Sequence, residues 1–150
     1  MQGEFSLINI TKGKLPSLPF VQIKDDILGQ DYNLSIAFVG EAKSKELNKR
    51  YRNKDKSTNI LSFALSKNAG ELVLCPNVIK KEYKNFDRKL PEFIGFLVIH
   101  GMLHLKGFEH SSKMERAEQK YDQKYFYRDR HGLGHNASHR GRISKGRKKS

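Results

Sequence analysis

Three histidines and one glycine stand close together in the C-terminal half of the chain. His100 and His104 are four residues apart, and His110 follows beyond Gly107. Residues four apart share one face of a helix, so both imidazoles can reach one zinc ion at about 2.0–2.1 Å. Gly107 can adopt the positive φ that ends a helix, which lets His110 return as a third ligand. Three histidines leave one tetrahedral position for water, so we expect one catalytic zinc ion per chain.

The residue after His100 distinguishes this run from the zinc-protease pattern. Those proteases have a general-base Glu directly after the first histidine, whereas this chain has Gly101. Peptide hydrolysis is therefore the weakest interpretation. Glu109, next to His110, is an acidic candidate for orienting a ligand. The alternative to a metal site is a set of hydrogen-bonded core histidines, but unpaired imidazoles buried side by side would be costly.

A second polar stretch, residues 50–59, joins a helix to an apolar strand. It gathers four cations in seven residues: Arg50, Arg52, Lys54 and Lys56. Arg52 suits a phosphate because its guanidinium binds oxygens bidentately and stays protonated. The alternative is a solvated loop in which Asp55, Thr58 and Asn59 only shape the turn. Residue types alone favour the two interpretations equally.

The elements that must position these residues alternate between strands and helices. Apolar runs bounded by turn residues predict strands over residues 4–11, 32–39, 60–65 and 72–75. Helical patterns predict helices over residues 19–28, 41–52, 91–106 and 111–127, with a short helix over 78–83. The order β-α-β-α-β-β-α-α indicates an α+β fold, with a small mixed sheet of about four strands packed with helices.

Two of these helices matter most for the site. The helix that begins at Pro91 carries His100 and His104 and is apolar nearly all round, so it belongs in the centre of the fold. In the last helix, Ser112 and Glu115 have the capping-box spacing. We therefore expect Ser112 to be the N-cap of that helix.

The composition excludes several classes of protein. The chain has 150 residues, one cysteine and a net charge of +13. One cysteine cannot form an intramolecular disulfide, so neither a disulfide-stapled scaffold nor a disulfide-linked partner is expected. The sequence has no apolar run long enough to span a membrane and no signal-peptide pattern at its start, so we expect a cytoplasmic protein. The excess of Lys and Arg favours RNA as partner, although a basic surface can also serve solubility alone.

The charge is concentrated near the end of the chain. Residues 128–150 carry eight Lys and Arg against one Asp, and they have few apolar side chains. We predict a disordered basic tail over 128–150, following a single metal-dependent hydrolase domain over 1–127. The tail could bind RNA or only keep the protein in solution. It also contains a possible second metal-binding group, disfavoured by nearby helix-breaking glycines: His131, His135 and His139.

At two stretches the sequence resembles the YbeY family of bacterial endoribonucleases and ribosomal RNA maturation factors. Residues 100–110 match the family pattern His-Gly-x-Leu-His-Leu-x-Gly-aromatic-acid-His at every position. Residues 47–63 match its Leu-Asn, Tyr-Arg, Lys-Asp and Thr-Asn-Ile-Leu-Ser-Phe segment. Residues 70–76 resemble its Gly-Asp-Ile strand, with Glu71 in place of the Asp. The resemblance covers residues 30–127 and rests mainly on the histidine pattern.

The resemblance implies that His100, His104 and His110 are zinc ligands and that Arg52 is the catalytic cation. It implies a zinc-dependent endoribonuclease that cleaves single-stranded RNA in ribosomal RNA maturation and ribosome quality control, together with the small ribosomal subunit. Direct attack by hydroxide and activation of a ribose 2′-OH both stay open, and we expect aromatic side chains to stack on bases. The alternative is a non-catalytic, zinc-containing, RNA-binding ribosome assembly factor.

Overall fold

A computed structural model describes residues 2–127 and contains one four-stranded sheet. Its strands are β1 (Phe5–Asn9), β2 (Asn33–Phe38), β3 (Ile60–Ser66) and β4 (Ala69–Leu74). The spatial order is β1-β2-β4-β3, in which β1, β2 and β4 are parallel and β3 is antiparallel to β4. The expected mixed sheet of about four strands is confirmed.

Five α-helices accompany the sheet within residues 2–127. They are α1 (Phe20–Ile27), α2 (Glu41–Arg52), α3 (Pro76–Glu82), α4 (Leu90–Lys106) and α5 (Ser112–Asp122). A 3-10 turn, Tyr83–Asn85, follows α3, and a π-helical turn, Gln123–Tyr127, extends α5. The expected order β-α-β-α-β-β-α-α is confirmed for the strands and the four longer helices, and α3 is the additional short helix expected over residues 78–83, shifted towards Pro76.

The two faces of the sheet are covered by different helices. On the α4 face, α1 and α4 pack on alternate strand residues: Leu34, Ile36, Phe38, Leu72 and Leu74. On the opposite α2 face, Leu47 of α2 packs on a second buried set: Ala37, Val39, Leu61 and Val73. The alternation follows from the two-residue period of a strand. The residues that the sequence analysis singled out come mainly from α2, from the loop after it, and from α4.

Helix α4 lies in the core, as its apolar sequence predicted. Every residue from Phe93 to Leu103 is buried. At Gly101 the helix lies so close to the sheet that a Cβ atom would stand 2.8 Å from Leu72 Cδ2 and 3.0 Å from Ile60 Cδ1. Gly107 ends the helix with a φ of 109°, a conformation that side chains with a Cβ resist. Glycine at position 101 thus allows close packing, and glycine at 107 allows the chain to turn back.

The start of α5 differs from the expectation by one residue. Ser111 is the N-cap: its backbone is extended, and its Oγ accepts a hydrogen bond from the Met114 N–H at 3.2 Å. Ser112 is the first helical residue. The assignment of Ser112 as cap was wrong, because an N-cap side chain reaches the amide three residues on, and here that amide belongs to Met114.

Two alanine variants distinguish these neighbouring serines. We expect Ser111→Ala to lower the free energy of unfolding by about 1 kcal/mol, since it removes an acceptor from the first turn of α5. Ser112→Ala removes no capping bond and is the matched control. Denaturant unfolding monitored by circular dichroism measures both. Equal losses, or a larger loss for Ser112→Ala, would contradict the cap assignment.

The predictions for the C-terminal segment fall outside the described part of the chain. Residues 128–150 are not described, so the disordered tail, the domain boundary after residue 127 and the possible second metal group stay predictions: His131, His135 and His139. In the described range, 2–127, no helix combines the length and the apolar character needed to cross a bilayer. The single cysteine, Cys75, is buried.

Candidate metal centre

Three imidazoles meet at the end of α4. His100 and His104 lie on successive turns of that helix, and His110 lies beyond the turn at Gly107. Their candidate ligand nitrogens all lie within 4.8 Å of one another. The ring centroids are 4.5 Å apart for His100 and His104, 4.7 Å for His104 and His110, and 5.4 Å for His100 and His110. The structure therefore brings together the three histidines that the spacing had grouped.

The hydrogen bonds of two rings fix which nitrogen is free to bind a metal. His104 Nδ1 lies 3.1 Å from the Phe108 carbonyl, which can only accept, so Nδ1 carries the proton. His100 Nδ1 donates to the Glu118 carboxylate in the same way. Both Nε2 atoms then present lone pairs, and they face each other at 3.1 Å. Two nitrogens bound to one tetrahedral zinc ion stand about 3.3 Å apart, so these residues fit a metal ion.

The protonation state of His104 also suits a ligand. Burial, together with the nearby His100 ring, lowers the pKa of His104 to about 4. Removing the ring from water disfavours its cationic form more than the bond to the Phe108 carbonyl favours it. His104 is therefore neutral at pH 7, and a metal ion does not have to displace a proton from it.

The carboxylate that orients a histidine is Glu118 on α5, which the sequence analysis missed. Its exposed fraction is 1%. Glu118 stands four residues after buried Met114, so a carboxylate on the inward face of a polar helix was the available signal. Glu109, the candidate for this role, is exposed, and its backbone carbonyl accepts a hydrogen bond from the Ser111 hydroxyl. The carboxylate that contacts the His100 ring is thus Glu118, and an orienting role for Glu109 stays a prediction.

We expect Glu118→Gln to lower zinc affinity by about 10–100-fold. The amide keeps an acceptor for the His100 Nδ1–H but removes the charge that makes the ring a stronger donor to a metal. Competition with a chromophoric chelator measures the affinity. Glu115→Gln, one turn earlier on α5, is the matched control and should bind zinc as the wild type does. Equal affinities for all three proteins would show that Glu118 does not tune the site.

The histidines open into a cavity of about 460 Å³ between α4 and the loop from α2 to β3. Its lining contains three of the four cations counted in the sequence: Arg52, Lys54 and Lys56. Arg50 is the exception, because its guanidinium pairs with Glu46 at 3.1 Å and lies over the Tyr51 ring. Arg52, by contrast, forms no ion pair with another described residue, so its guanidinium is available to a substrate.

The loop from α2 to β3 is held by two buried side chains of α2. Ser44 Oγ accepts from the Thr58 N–H at 2.9 Å and donates to the Thr58 carbonyl at 3.0 Å. Asn48 Nδ2 donates to the Lys56 carbonyl at 2.9 Å. Asp55, expected to help shape this turn, is exposed and lies 3.9 Å from Lys45 Nζ. The loop is thus fixed from the helix, which supports the interpretation that its cations are placed for binding.

The cavity lining also contains a polar pair, of which the sequence had indicated only Asn59, as a turn residue. Asn59 Nδ2 donates to Glu82 Oε1 at 2.9 Å, and burial raises the pKa of Glu82. Among the described residues, no Phe or Tyr lines this cavity. Tyr51, the aromatic residue next to Arg52, makes an edge-to-face contact with Phe63 instead, with ring centroids 5.1 Å apart. The expected stacking of bases on aromatic side chains finds no support at this cavity.

Two imidazoles of a central helix and a third from beyond its terminal turn converge at a cation-lined cavity, an arrangement typical of a metal-dependent hydrolase. Comparisons with known proteins support this class of enzyme and identify its family. A family model described as Endoribonuclease YbeY matches residues 17–129. The chain belongs to the YbeY family, and its enzyme class is that of a metal-dependent endoribonuclease.

Two relatives and one solved structure illustrate the similarity. A protein named Endoribonuclease YbeY from Staphylococcus carnosus is 32% identical over 122 residues, which cover 73% of this chain and 79% of the relative. One of the same name from Colwellia psychrerythraea is 43% identical over 96 residues, covering 59% and 62%. A solution structure of a Thermotoga maritima protein superposes with a TM-score of 0.59 at 25% identity, covering 80% of this chain and 87% of the other.

Proposed function

We propose that the protein is a zinc-dependent, single-strand-specific endoribonuclease that acts in ribosomal RNA maturation and ribosome quality control. The observation that supports this most is the convergence of the three imidazoles beside a cavity lined by cations. In this proposal His100, His104 and His110 hold one zinc ion, and Arg52 is the catalytic cation. The partners are RNA and the small ribosomal subunit.

Each residue of the site has a distinct part in the proposed reaction. Glu118 and the Phe108 carbonyl hold the His100 and His104 rings with their Nε2 atoms towards the metal. A bound zinc ion supplies a Lewis acid and lowers the pKa of a coordinated water to about 7. Arg52 donates hydrogen bonds to the phosphoryl oxygens as negative charge develops on them. These roles do not depend on whether water or a ribose 2′-OH is the nucleophile.

The position of the site supports a preference for single strands. His100 is buried, so a scissile phosphate must enter the cavity to approach it. A flexible single strand can bend its backbone into such a cavity, whereas the backbone of a duplex is held on the surface of a stiff helix. Lys54 and Lys56 lie at the same cavity and neutralise neighbouring phosphates.

The proposal is tested with the purified full chain. Metal content is measured by mass spectrometry, because three imidazoles also bind nickel or copper. Cleavage is followed with labelled single-stranded RNA, with its duplex, and with a fragment of small-subunit ribosomal RNA. We expect cleavage of single-stranded regions, its loss with a chelator, and its return with zinc. Cells without the protein should accumulate unprocessed ribosomal RNA.

The same experiment identifies the non-catalytic alternative. A ribosome assembly factor would bind the RNA but leave it intact, even after zinc is restored. Three protein ligands argue against this outcome, since structural zinc sites almost always have four. Intact RNA under all metal conditions would contradict the proposed enzyme activity.

A further inference from the structure

Strand β1 leaves one edge of the sheet open. The Ile10 N–H donates to the Phe38 carbonyl, and the Glu4 carbonyl accepts from the Leu34 N–H. Even-numbered residues of this segment therefore direct their backbone groups towards β2, and Leu7 directs its N–H and C=O away from the sheet. Within residues 2–127, no strand pairs with this outer edge. An open edge is a template for adding another strand.

The side chains along this edge are also exposed. Leu7, Ile8 and Ile10 have exposed fractions of 41%, 48% and 67%. Leu7 lies on the α4 face of the sheet, whereas Ile8 and Ile10 lie on the opposite face, so both sides of the edge expose apolar side chains. Ile10 also lines a cavity beyond the end of β1. Exposed apolar surface next to unpaired backbone groups is typical of an interaction site.

That cavity has a volume of about 560 Å³ and shares no lining residue with the histidine cavity. Its floor is apolar and buried: Phe38, Val39 and Ile94. Leu15 and Leu90 add to its walls. A cavity of this size and polarity can enclose a large apolar side chain.

The topology explains why a crevice forms at this place. Helix α1, which follows β1, packs on the α4 face of the sheet, whereas α2, which follows β2, packs on the opposite face. The chain segments leaving the two adjacent parallel strands therefore diverge. Open α/β sheets bind ligands at the carboxyl ends of strands where the connections separate in this way.

Three lysines surround the cavity: Lys12, Lys14 and Lys80. No acidic residue of the described range lines it, and none of the three lysines forms an ion pair within that range. Neighbouring Lys81, by contrast, pairs with Glu41 at 3.4 Å. Three positive charges without a neighbouring carboxylate favour the binding of an acidic ligand. The chain's own segment 128–150 carries charge of the same sign, which disfavours it as the occupant.

We propose that the outer edge of β1 and the adjacent cavity, together called the β1-edge surface, bind an acidic, extended segment of a partner protein. The segment adds to β1 as a fifth strand, places an apolar side chain in the cavity and directs carboxylates to Lys12, Lys14 and Lys80. RNA would also be attracted to the lysines, but it has no peptide groups to pair with a strand edge. The open edge therefore favours a peptide.

A random twelve-residue peptide library displayed on phage and selected on the full chain tests the proposal. We expect enriched peptides to combine acidic residues with a large apolar one. Synthetic copies, followed by fluorescence anisotropy, should bind about tenfold or more weakly to the variant with Lys12, Lys14 and Lys80 changed to Glu. The control variant keeps residues 128–150 and has three other lysines changed to Glu: Lys67, Lys84 and Lys120. Its net charge equals that of the first variant, and it should bind the peptides as the wild type does.

A second variant tests strand addition. Leu7→Pro removes an N–H that faces away from β2, a position that tolerates proline in an edge strand, and should weaken peptide binding while RNA cleavage is unaffected. If Leu7→Pro unfolds the protein, the proposal is tested by comparing peptide binding to the two lysine variants. Selection of peptides that are not acidic, or equal binding to both lysine variants, would overturn the proposal. So would a twelve-nucleotide RNA that displaces the peptides and loses affinity only when the cavity lysines are changed.

Discussion

His110→Ala should lose both zinc binding and RNA cleavage while keeping the fold. His110 is exposed, so its removal leaves no cavity in the core. Its ring lies 4.7 Å from that of His104, and without it only the two nitrogens of α4 remain to hold a metal ion. We expect cleavage to fall to the level of a sample without protein, with no zinc after dialysis.

Thermal unfolding provides a second measurement that does not depend on RNA. Zinc at about 100 times its Kd stabilises the wild type by about 2.7 kcal/mol, which raises the Tm by about 5–10 °C in a chain of this size. His110→Ala should have the Tm of the metal-free wild type and show no increase with zinc. Glu109→Ala, the exposed neighbour, is the control and should keep both zinc and activity. A His110→Ala protein that retains zinc and wild-type activity would disprove the ligand assignment.

The histidine group could be predicted because its geometry is local. His100 and His104 are aligned by the helical period alone, and Gly107 marks the turn that returns His110. The apolar sequence of α4 also determined that this helix would be central. No knowledge of distant contacts was needed for either conclusion.

The supporting residues could not be predicted because they depend on how elements pack. Glu118 is 14 residues beyond His104 in the sequence, and only the packing of α5 on α4 brings its carboxylate to His100. Ser44 and Asn48 look like ordinary polar residues of an exposed helix, but both are buried against the loop that follows α2. The spacing from Met114 places Glu118 on the inward face of α5, but the contacts of Glu118, Ser44 and Asn48 follow only from tertiary structure.

Arg50 and Arg52 show that some of the missing information was present in the sequence. Residues two apart on a helix are separated by about 200° around its axis, so the two guanidinium groups cannot serve one cavity. A contact between Arg50 and Glu46, four residues earlier, was also predictable as a favourable helical pair. The four cations counted in the sequence therefore exceed by one the number that line the cavity.

Arg52→Ala is expected to lower the rate of RNA cleavage by about 10²–10³-fold. Arg52 ends α2 beside the histidine cavity, and Lys54 and Lys56 line the same cavity. Since the lysines can still bind phosphates, we expect the loss mainly in kcat, with a smaller rise in KM. The fold should persist, because an exposed cation in the last turn of a helix contributes only about 0.3–1 kcal/mol.

Two further variants separate the geometry of Arg52 from its charge. Arg52→Lys keeps the cation but loses the bidentate guanidinium, so its rate should lie between those of the wild type and Arg52→Ala. Arg50→Ala removes a cation two residues away that is paired with Glu46, and it should cleave at the wild-type rate. If Arg50→Ala and Arg52→Ala were equally impaired, general attraction of RNA would explain the effect. A role for Arg52 in the transition state requires that they differ, and that the difference persist at saturating RNA, where binding no longer limits the rate.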